Sequence, residues 1–201
     1  MVDLAAALAA PGAPTALHDG AAHIADALTG LDAVGTPGSI ADLGSGAGIP
    51  GLALARALPE AHVFCVESAR RKADWIAATA ERCGIVNAEA IWSRAEEWDG
   101  TVDVVVARAL AALPVLCEYA APLLAEGGRA VFYKGAVDDD EAADGRHAAA
   151  LLGLSEPVVL PVVGTERRTL WVFDRLAPVP DRFPRRAGMA VKRPLRAVRS
   201  A

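Results

Sequence analysis

The chain has 201 residues, of which 53% are hydrophobic and 22% are charged, and its formal net charge is −5. This length suits one domain with one hydrophobic core, and the composition excludes a disordered chain. The negative net charge also excludes a protein that is basic over its whole surface, as many proteins that coat nucleic acid are.

Cysteine content and the apolar runs indicate the compartment. Cys65, Cys83 and Cys117 show no CxxC spacing, and three thiols cannot all pair, which argues against a disulfide scaffold or a zinc site. No Lys or Arg precedes Arg56, so the N-terminus does not resemble a secretory signal. No apolar run reaches the roughly 18 residues that a membrane helix needs. We therefore expect a cytoplasmic protein with no metal and no membrane partner.

Strand-like and helical segments alternate from Ser39 onward, after an Ala-rich stretch with a helix near 18–30. The strands are predicted at 39–43, 61–66, 88–92, 102–107 and 128–133, and the helices at about 50–58, 68–83 and 112–124. This alternation predicts parallel βαβ units and an α/β fold with a doubly wound sheet. Two further strand-like runs, 157–163 and 167–174, are joined by Gly164-Thr165-Glu166, which predicts an antiparallel pair and a reversed last strand.

Charge is distributed unevenly along the chain. Residues 181–201 carry seven basic side chains and one acidic side chain, a net charge of +6, whereas residues 1–180 sum to −11. We divide the chain into a short N-terminal helical segment (1–38), a central domain (39–176) and a basic C-terminal tail (177–201). A basic arm on an acidic body is suited to holding phosphates locally.

A glycine-rich loop joins the first predicted strand to the helix that follows it. It reads Asp42-Leu-Gly-Ser-Gly-Ala-Gly-Ile-Pro-Gly51, and the second strand ends at Glu67. Glycines let a backbone turn tightly and let a ligand approach it, while an acid at the end of the second strand can accept hydrogen bonds from ribose hydroxyls. The candidate cofactor contacts here are Asp42, Gly44, Gly46, Gly48, Ile49, Glu67 and Ser68.

Two cofactors and a purely structural turn compete as explanations of this loop. Residues 46–51 match the GxGxxG pattern of dinucleotide-binding proteins. The glycines begin earlier, however, at Gly44, and Asp42 stands two residues before them. An acid-x-G-x-G-x-G loop resembles motif I of class I S-adenosylmethionine (AdoMet) methyltransferases, whose cofactor has no pyrophosphate and tolerates an acidic loop. We predict AdoMet and keep NAD as the alternative.

A second polar segment, Ser93-Arg-Ala-Glu-Glu97, follows the third predicted strand. The corresponding loop of this fold often frames adenine, which makes Ala95 and Glu96 candidate cofactor contacts. The pattern alone, Ser93 with Glu96 three residues later, favours a helix capping box over a cofactor contact.

These motifs together resemble the small-subunit ribosomal RNA (guanine-N7) methyltransferase family, RsmG/GidB. The glycine loop with its Pro-Gly ending and the segment 93–97 are similar to two signatures of that family. Further similar segments follow the family order: His23-Ile-Ala-Asp26, Ala107-Arg-Ala-Leu110, Tyr133-Lys-Gly135, Phe183-Pro-Arg-Arg-Ala-Gly188 and Lys192-Arg-Pro-Leu195.

The resemblance implies a class I, Rossmann-like methyltransferase that uses AdoMet to methylate N7 of a guanine in 16S ribosomal RNA or a small-subunit precursor. Guanine N7 has a lone pair and no proton, so transfer needs no general base and can rest on positioning and electrostatics. Arg108 and Lys134, at two strand ends, are the candidate catalytic residues, and Arg108 is also a candidate cofactor contact. The candidate RNA contacts are His23, Arg185, Arg186, Lys192 and Arg193. We expect a monomer.

Two departures from the family pattern keep alternatives open. Only about 38 residues precede the first strand, and they lack the Trp and Asn motifs of the family's longer N-terminal region. Ala22 and Ala27 stand where the family often has Arg and Ser. A methyltransferase of the same fold that acts on another RNA or a small molecule is one alternative, and a non-catalytic AdoMet-binding relative is the other.

Overall fold

The structure, a computed structural model, describes residues 2–14, 19–162 and 168–198. In these ranges the helices are α1 (Leu4–Leu8), α2 (Gly20–Leu28), α3 (Leu31–Val34), α4 (Gly51–Ala57), α5 (Arg70–Cys83), α6 (Leu113–Ala120), α7 (Asp139–Leu151) and α8 (Met189–Lys192), with a 3-10 turn at Ala121–Leu123. The strands are β1 (Ser39–Leu43), β2 (His62–Glu67), β3 (Ala88–Trp92), β4 (Val102–Arg108), β5 (Leu124–Lys134), β6 (Val158–Pro161) and β7 (Thr169–Asp174).

The strands form one twisted sheet in the order β3-β2-β1-β4-β5-β7-β6. Strands β1 to β5 pair in parallel, and β7 runs antiparallel to both of its neighbours. The predicted α/β fold with a reversed last strand is therefore confirmed. The predicted connection at 164–166 lies outside the described residues. The chain order reverses beside β1, and in open α/β sheets ligands bind outside the carboxyl ends of strands at such a point.

Each face of the sheet is covered by its own layer of helices. Side chains from α1 to α5 pack with Ile40 and Val63 on one face, and side chains from α6 to α8 pack with Val105 and Phe132 on the other. Strand side chains alternate between the two cores because successive residues of a strand point to opposite faces. The result is a three-layer arrangement that leaves the carboxyl edge of the strands open.

Both end segments pack against these two cores. Leu4 and Leu8 of the N-terminal segment are buried in one core, and Phe183 and Ala190 of the tail are buried in the other. We still propose segment boundaries after residues 38 and 176. The two end segments pack on the central domain and are not separate domains. Within the described ranges, no helix is long and apolar enough to cross a membrane.

Helix α7 has no counterpart among the predicted helices. Its first turn is a run of acids, Asp139 to Glu141, capped by the side chain of Asp138, and its outer face is polar. Gly145 in its interior lowers helix propensity. A Cβ atom built at Gly145 would lie only 2.8 Å from the Cβ of Leu113, so the glycine allows α7 to pack closely on α6. A packing requirement therefore outweighs local propensity here.

Candidate active site

Two cavities lie side by side at the carboxyl edge of the sheet. The first, which we call the glycine-loop cavity, has a volume of about 320 Å³ and lies beyond the ends of β1, β2 and β3. The second, which we call the arginine cavity, has a volume of about 490 Å³ and lies beyond the ends of β4 and β5. The reversed strand β7 begins at this edge, and its first residue, Thr169, lines the arginine cavity together with the preceding Arg168.

The glycine loop adopts backbone conformations that strongly favour glycine. Gly44, Gly46 and Gly48 have φ angles of +66°, +63° and +96°. A Cβ atom at Gly44 would lie 2.5 Å from Cδ1 of Leu110. All three positions therefore favour glycine for the turn, and Gly44 also needs it for the close approach of the loop after β4.

Asp42 holds the glycine loop from below. Its carboxylate is fully buried, and Oδ2 accepts hydrogen bonds from the Ser45 hydroxyl and, at 2.8 Å, from the Gly51 N–H. Among the described residues, Oδ1 has no hydrogen-bond partner. Burial raises the pKa of Asp42 to about 6, against the smaller opposing effect of the two hydrogen bonds. Asp42 therefore fixes the shape of the loop from beneath the cavity wall.

This raised pKa predicts a particular pH dependence of stability. Because the folded state binds the Asp42 proton more tightly than the unfolded chain, the stabilisation is complete below about pH 4 and is lost as pH rises through about 6. A difference of about 2 between the folded and unfolded pKa values corresponds to about 3 kcal/mol in the free energy of unfolding. Between pH 4 and 7 we therefore expect the free energy of unfolding of wild type to fall relative to that of Asp42→Asn. Urea unfolding of both proteins across this range measures the difference, and parallel pH profiles would contradict the prediction.

Glu67 braces the same loop from the end of β2. Its Oε2 accepts a hydrogen bond from the Gly46 N–H at 3.0 Å, and its Oε1 accepts one from the Ala69 N–H at 2.8 Å. Oε1 also accepts a longer, 3.4 Å contact from the Ser68 hydroxyl. A carboxylate oxygen has two lone pairs, so Oε2 is the atom that retains capacity for a ligand hydroxyl. The predicted acid is thus in place and already oriented by backbone contacts.

The predicted cofactor residues are arranged in two layers. Gly44, Ser68, Ala95 and Glu96 line the glycine-loop cavity directly. The other loop residues lie behind the lining and shape it: Asp42, Gly46, Gly48, Ile49 and Glu67. The cavity has further lining residues that the sequence did not assign to the cofactor: Val66, Ser93, Arg94, Leu110, Tyr119, Gly188, Val191 and Lys192.

Arg108 is the centre of a polar cluster in the arginine cavity. Its Nη1 donates to Asp26 Oδ2 at 2.8 Å and to His23 Nδ1 at 3.3 Å. Arg168 pairs with the other oxygen of Asp26. The i, i+3 spacing on α2 thus brings His23 and Asp26 together onto the end of β4. Arg168, which sequence reasoning missed, completes the cluster.

The protonation of His23 follows from its contact with Arg108. A guanidinium can only donate hydrogen bonds, so Nδ1 must accept and the imidazole must be neutral. Burial lowers the pKa of His23, the charges of Arg108 and Arg168 lower it further, and Asp26 opposes them. The cluster therefore holds a neutral imidazole at neutral pH.

Lys134, at the end of β5, also lines the arginine cavity. Its Nζ pairs with Glu141 Oε1 at 2.7 Å and donates to the Ala111 carbonyl at 3.0 Å. The same Glu141 oxygen accepts the Leu113 N–H at 2.9 Å. Lys134 therefore links β5, the loop after β4 and the first turn of α7.

A short turn after β4 separates the two cavities. Arg108 and Ala109 line the arginine cavity, whereas Leu110 lines the glycine-loop cavity. Ala109 adopts a φ of +54°, unusual for a residue other than glycine, and this conformation directs the chain across the boundary. Groups bound in the two cavities would therefore meet at this turn.

The thiols do not suit nucleophilic chemistry at this site. Cys65, Cys83 and Cys117 are buried, and burial raises the pKa of each thiol. In the described part of the chain, no group of three or more His, Cys, Asp and Glu side chains is arranged to hold a metal ion.

The predicted RNA contacts of the tail occupy different environments. Arg185 pairs with both carboxylate oxygens of the buried Glu118. Arg186, Lys192 and Arg193 are exposed, and Lys192 also lines the glycine-loop cavity. Of these four cations, Arg186, Lys192 and Arg193 have the exposure that a phosphate contact requires, and Arg185 does not.

Comparisons with known proteins give consistent results. The family model described as rRNA small subunit methyltransferase G matches residues 12–171. The chain is 40% identical over 188 residues to "Ribosomal RNA small subunit methyltransferase G" of Rubrobacter xylanophilus, covering 87% of this chain and 72% of that protein. It is 41% identical over 185 residues to the protein of the same name from Deinococcus radiodurans, covering 86% and 73%.

A solved structure with a similar fold is that of the S-adenosylmethionine-dependent methyltransferase SibL in its apo form. It aligns with a TM-score of 0.68 at 15% identity, covering 81% of this chain and 57% of that chain. This likeness supports the fold alone.

Proposed function

The chain belongs to the rRNA small subunit methyltransferase G family, and on this basis we propose that it transfers a methyl group from AdoMet to N7 of a guanine in 16S ribosomal RNA. The observation that carries the proposal is the pair of cavities that adjoin at Arg108–Leu110. One cavity has the glycine loop and acids suited to an adenosyl cofactor, and the other has the cationic groups suited to a nucleotide.

The residues of the glycine-loop cavity fit AdoMet. Gly44 presents bare backbone to the cavity, and Glu96 lies in the segment 93–97 expected to frame adenine. Glu67, behind the lining, keeps a lone pair of Oε2 for a ribose hydroxyl. The acidic loop suits a ligand that carries a positive sulfonium and ammonium and no phosphate. When bound, AdoMet supplies an electrophilic methyl group.

The arginine cavity suits positioning rather than proton removal. Guanine N7 attacks with its own lone pair, so the chain needs only to hold the base in line with the methyl group. We propose that Arg108 donates to guanine O6 through N–H groups that Asp26 and His23 do not use, since a guanidinium has five donors. Asp26 and His23 fix the orientation of that guanidinium. We propose that Lys134 orients the loop beside the base.

The remaining parts of the proposal concern location and assembly. We propose that the protein acts in the cytoplasm, on free 16S ribosomal RNA or on a precursor of the small subunit, and that it acts as a monomer. Arg186 and Arg193 of the tail, together with His23 at the mouth of the arginine cavity, are the proposed RNA contacts. Sedimentation of the purified protein tests the monomer.

Mapping of N7-methylguanosine in 16S ribosomal RNA tests the proposed activity. Deletion of the gene should remove one such nucleotide, and the purified wild-type protein with AdoMet should restore it on small subunits from the deletion strain. Arg108→Ala should not restore it. An unchanged methylation map would overturn the proposal and favour another RNA or a small molecule as substrate, and absence of any transfer with retained AdoMet binding would favour a non-catalytic relative.

A further inference from the structure

The basic tail forms part of the wall of the glycine-loop cavity. Three of its residues, Gly188, Val191 and Lys192, line that cavity. The Gly188 N–H donates a 2.9 Å hydrogen bond to Oε1 of Glu96, the acid in the segment expected to frame adenine. The tail therefore contacts a group that the proposed function assigns to the cofactor.

A buried ion pair fastens this part of the tail to α6. Arg185 Nε donates to Glu118 Oε1 at 2.8 Å, the Arg185 backbone N–H donates to the same oxygen at 3.2 Å, and Nη2 pairs with Oε2. The Glu118 carboxylate is only 1% exposed, and Arg185 is the cation that pairs with it. The next residue of α6, Tyr119, lines the glycine-loop cavity, so the fastening point lies directly beside that cavity.

Burial of the Glu118 carboxylate favours the tail position in which Arg185 pairs with it. A carboxylate buried without a partner is strongly unfavourable, so Glu118 is accommodated only when Arg185 is docked or when the tail lifts away and water reaches the carboxylate. Arg185 contacts both carboxylate oxygens of Glu118, and this bidentate geometry also fixes the orientation of the tail segment that follows Arg185. Docking of Arg185 therefore determines whether Gly188 reaches Glu96.

We propose that Arg185 is a positioning residue for AdoMet, acting through the Glu118 ion pair to hold Gly188, Val191 and Lys192 as a wall of the cofactor cavity. The cofactor's identity rests on the proposed function. Arg185 thus serves cofactor binding rather than RNA phosphate binding. AdoMet and its product S-adenosylhomocysteine (AdoHcy) bind the closed form of the protein, in which Arg185 is docked on Glu118. They therefore favour this form over the open form, in which the tail is lifted away.

Two variants with the same charge change test this role. Arg185→Gln and Arg186→Gln each remove one positive charge from the tail, but Arg186 is exposed. We expect calorimetry to show AdoHcy binding weakened about tenfold or more by Arg185→Gln and changed less than about twofold by Arg186→Gln. The double variant Glu118→Gln/Arg185→Gln pairs two neutral amides, and we expect it to bind AdoHcy more tightly than Arg185→Gln does.

Trypsin digestion of the wild-type protein gives a second test that does not depend on any variant folding. Cleavage after Arg185, whose side chain pairs with the buried Glu118, requires the tail to open. A ligand that binds only the closed form slows this cleavage by a factor of one plus the ratio of the ligand concentration to its Kd. With AdoHcy at ten times its Kd, cleavage after Arg185 should slow about tenfold.

The outcomes distinguish this inference from the proposed function. Equal AdoHcy affinities for Arg185→Gln and Arg186→Gln, or cleavage after Arg185 that AdoHcy does not slow, would overturn the positioning role and leave the methyltransferase proposal intact. If the wild-type protein bound no AdoHcy, both would be overturned. If AdoHcy protects the tail but no 16S ribosomal RNA is methylated, the positioning role holds and the substrate is wrong.

Discussion

Replacing Arg108 with alanine is expected to lower kcat/KM for methyl transfer to 16S ribosomal RNA by about 100- to 1,000-fold while the protein stays folded. The loss follows because the guanidinium, held by Asp26 at 2.8 Å, is the proposed donor to the guanine. Stability should change by no more than about 2 kcal/mol, since Arg168 still pairs with the Asp26 carboxylate. Single-turnover transfer assays and urea unfolding measure the two effects separately.

Two matched substitutions check that the effect belongs to the site. Arg129→Ala removes a similar pair, Arg129 with Asp174 at 2.7 Å, from the other end of the sheet, and transfer should be nearly unchanged. Arg108→Lys keeps the charge but not the planar fork, so it should recover only part of the activity. Near-normal turnover of Arg108→Ala would refute the role of Arg108.

The fold was predictable where the sequence pattern is local. Buried strand runs that alternate with helices predicted strands β1 to β5 and their parallel pairing, and the glycine spacing predicted a tight turn at Gly44, Gly46 and Gly48. Helix α7 was not predictable in the same way, because Gly145 serves contact with Leu113, a residue 32 positions away. The start of β5 was placed at residue 128 rather than Leu124 because Glu126-Gly127-Gly128 resembles a turn.

The candidate site was predictable in its residues more than in its connections. Arg108, Lys134, His23 and Asp26 were all identified, but their contacts depend on how α2 and α7 pack over the strand ends. The reversed last strand was itself predicted. An antiparallel strand begins at the carboxyl edge of its neighbours. The predicted topology therefore places Arg168, just before this strand, near the ends of β4 and β5, although Arg168 belongs to no motif.

The tail shows why charge alone does not separate residues that occupy different environments. Seven basic residues in a 21-residue stretch indicate an RNA arm, and nothing in that pattern separates Arg185 from Arg186. The separation comes from Glu118, a buried acid 67 positions earlier on α6. An acid in an otherwise apolar helical segment was the available signal, since a buried carboxylate requires a partner from elsewhere in the chain.

RNA binding by the tail is expected to depend on its exposed cations and to weaken strongly when three of them are neutralised. In Arg182→Gln/Arg186→Gln/Arg193→Gln, the slope of log K against log salt concentration should decrease by about 2, since each single-strand phosphate contact contributes about 0.7. At 0.1 M salt this corresponds to about 100-fold weaker binding. Filter binding or fluorescence anisotropy with a 16S ribosomal RNA fragment at several salt concentrations measures the slope.

A second triple variant separates a local contact from the effect of net charge. Arg56, Arg82 and Arg129 lie towards the amino edge of the sheet, in the last turns of α4 and α5 and early in β5. Changing these three to Gln removes the same charge at the edge away from both cavities, so the salt slope should stay close to that of wild type. Equal losses in both variants would show that only net charge matters, and an unchanged slope in the tail variant would remove the tail from the RNA interface. Because Arg185 is intact in both, AdoHcy affinity should be unaffected in either, which keeps RNA binding and cofactor binding separately measurable.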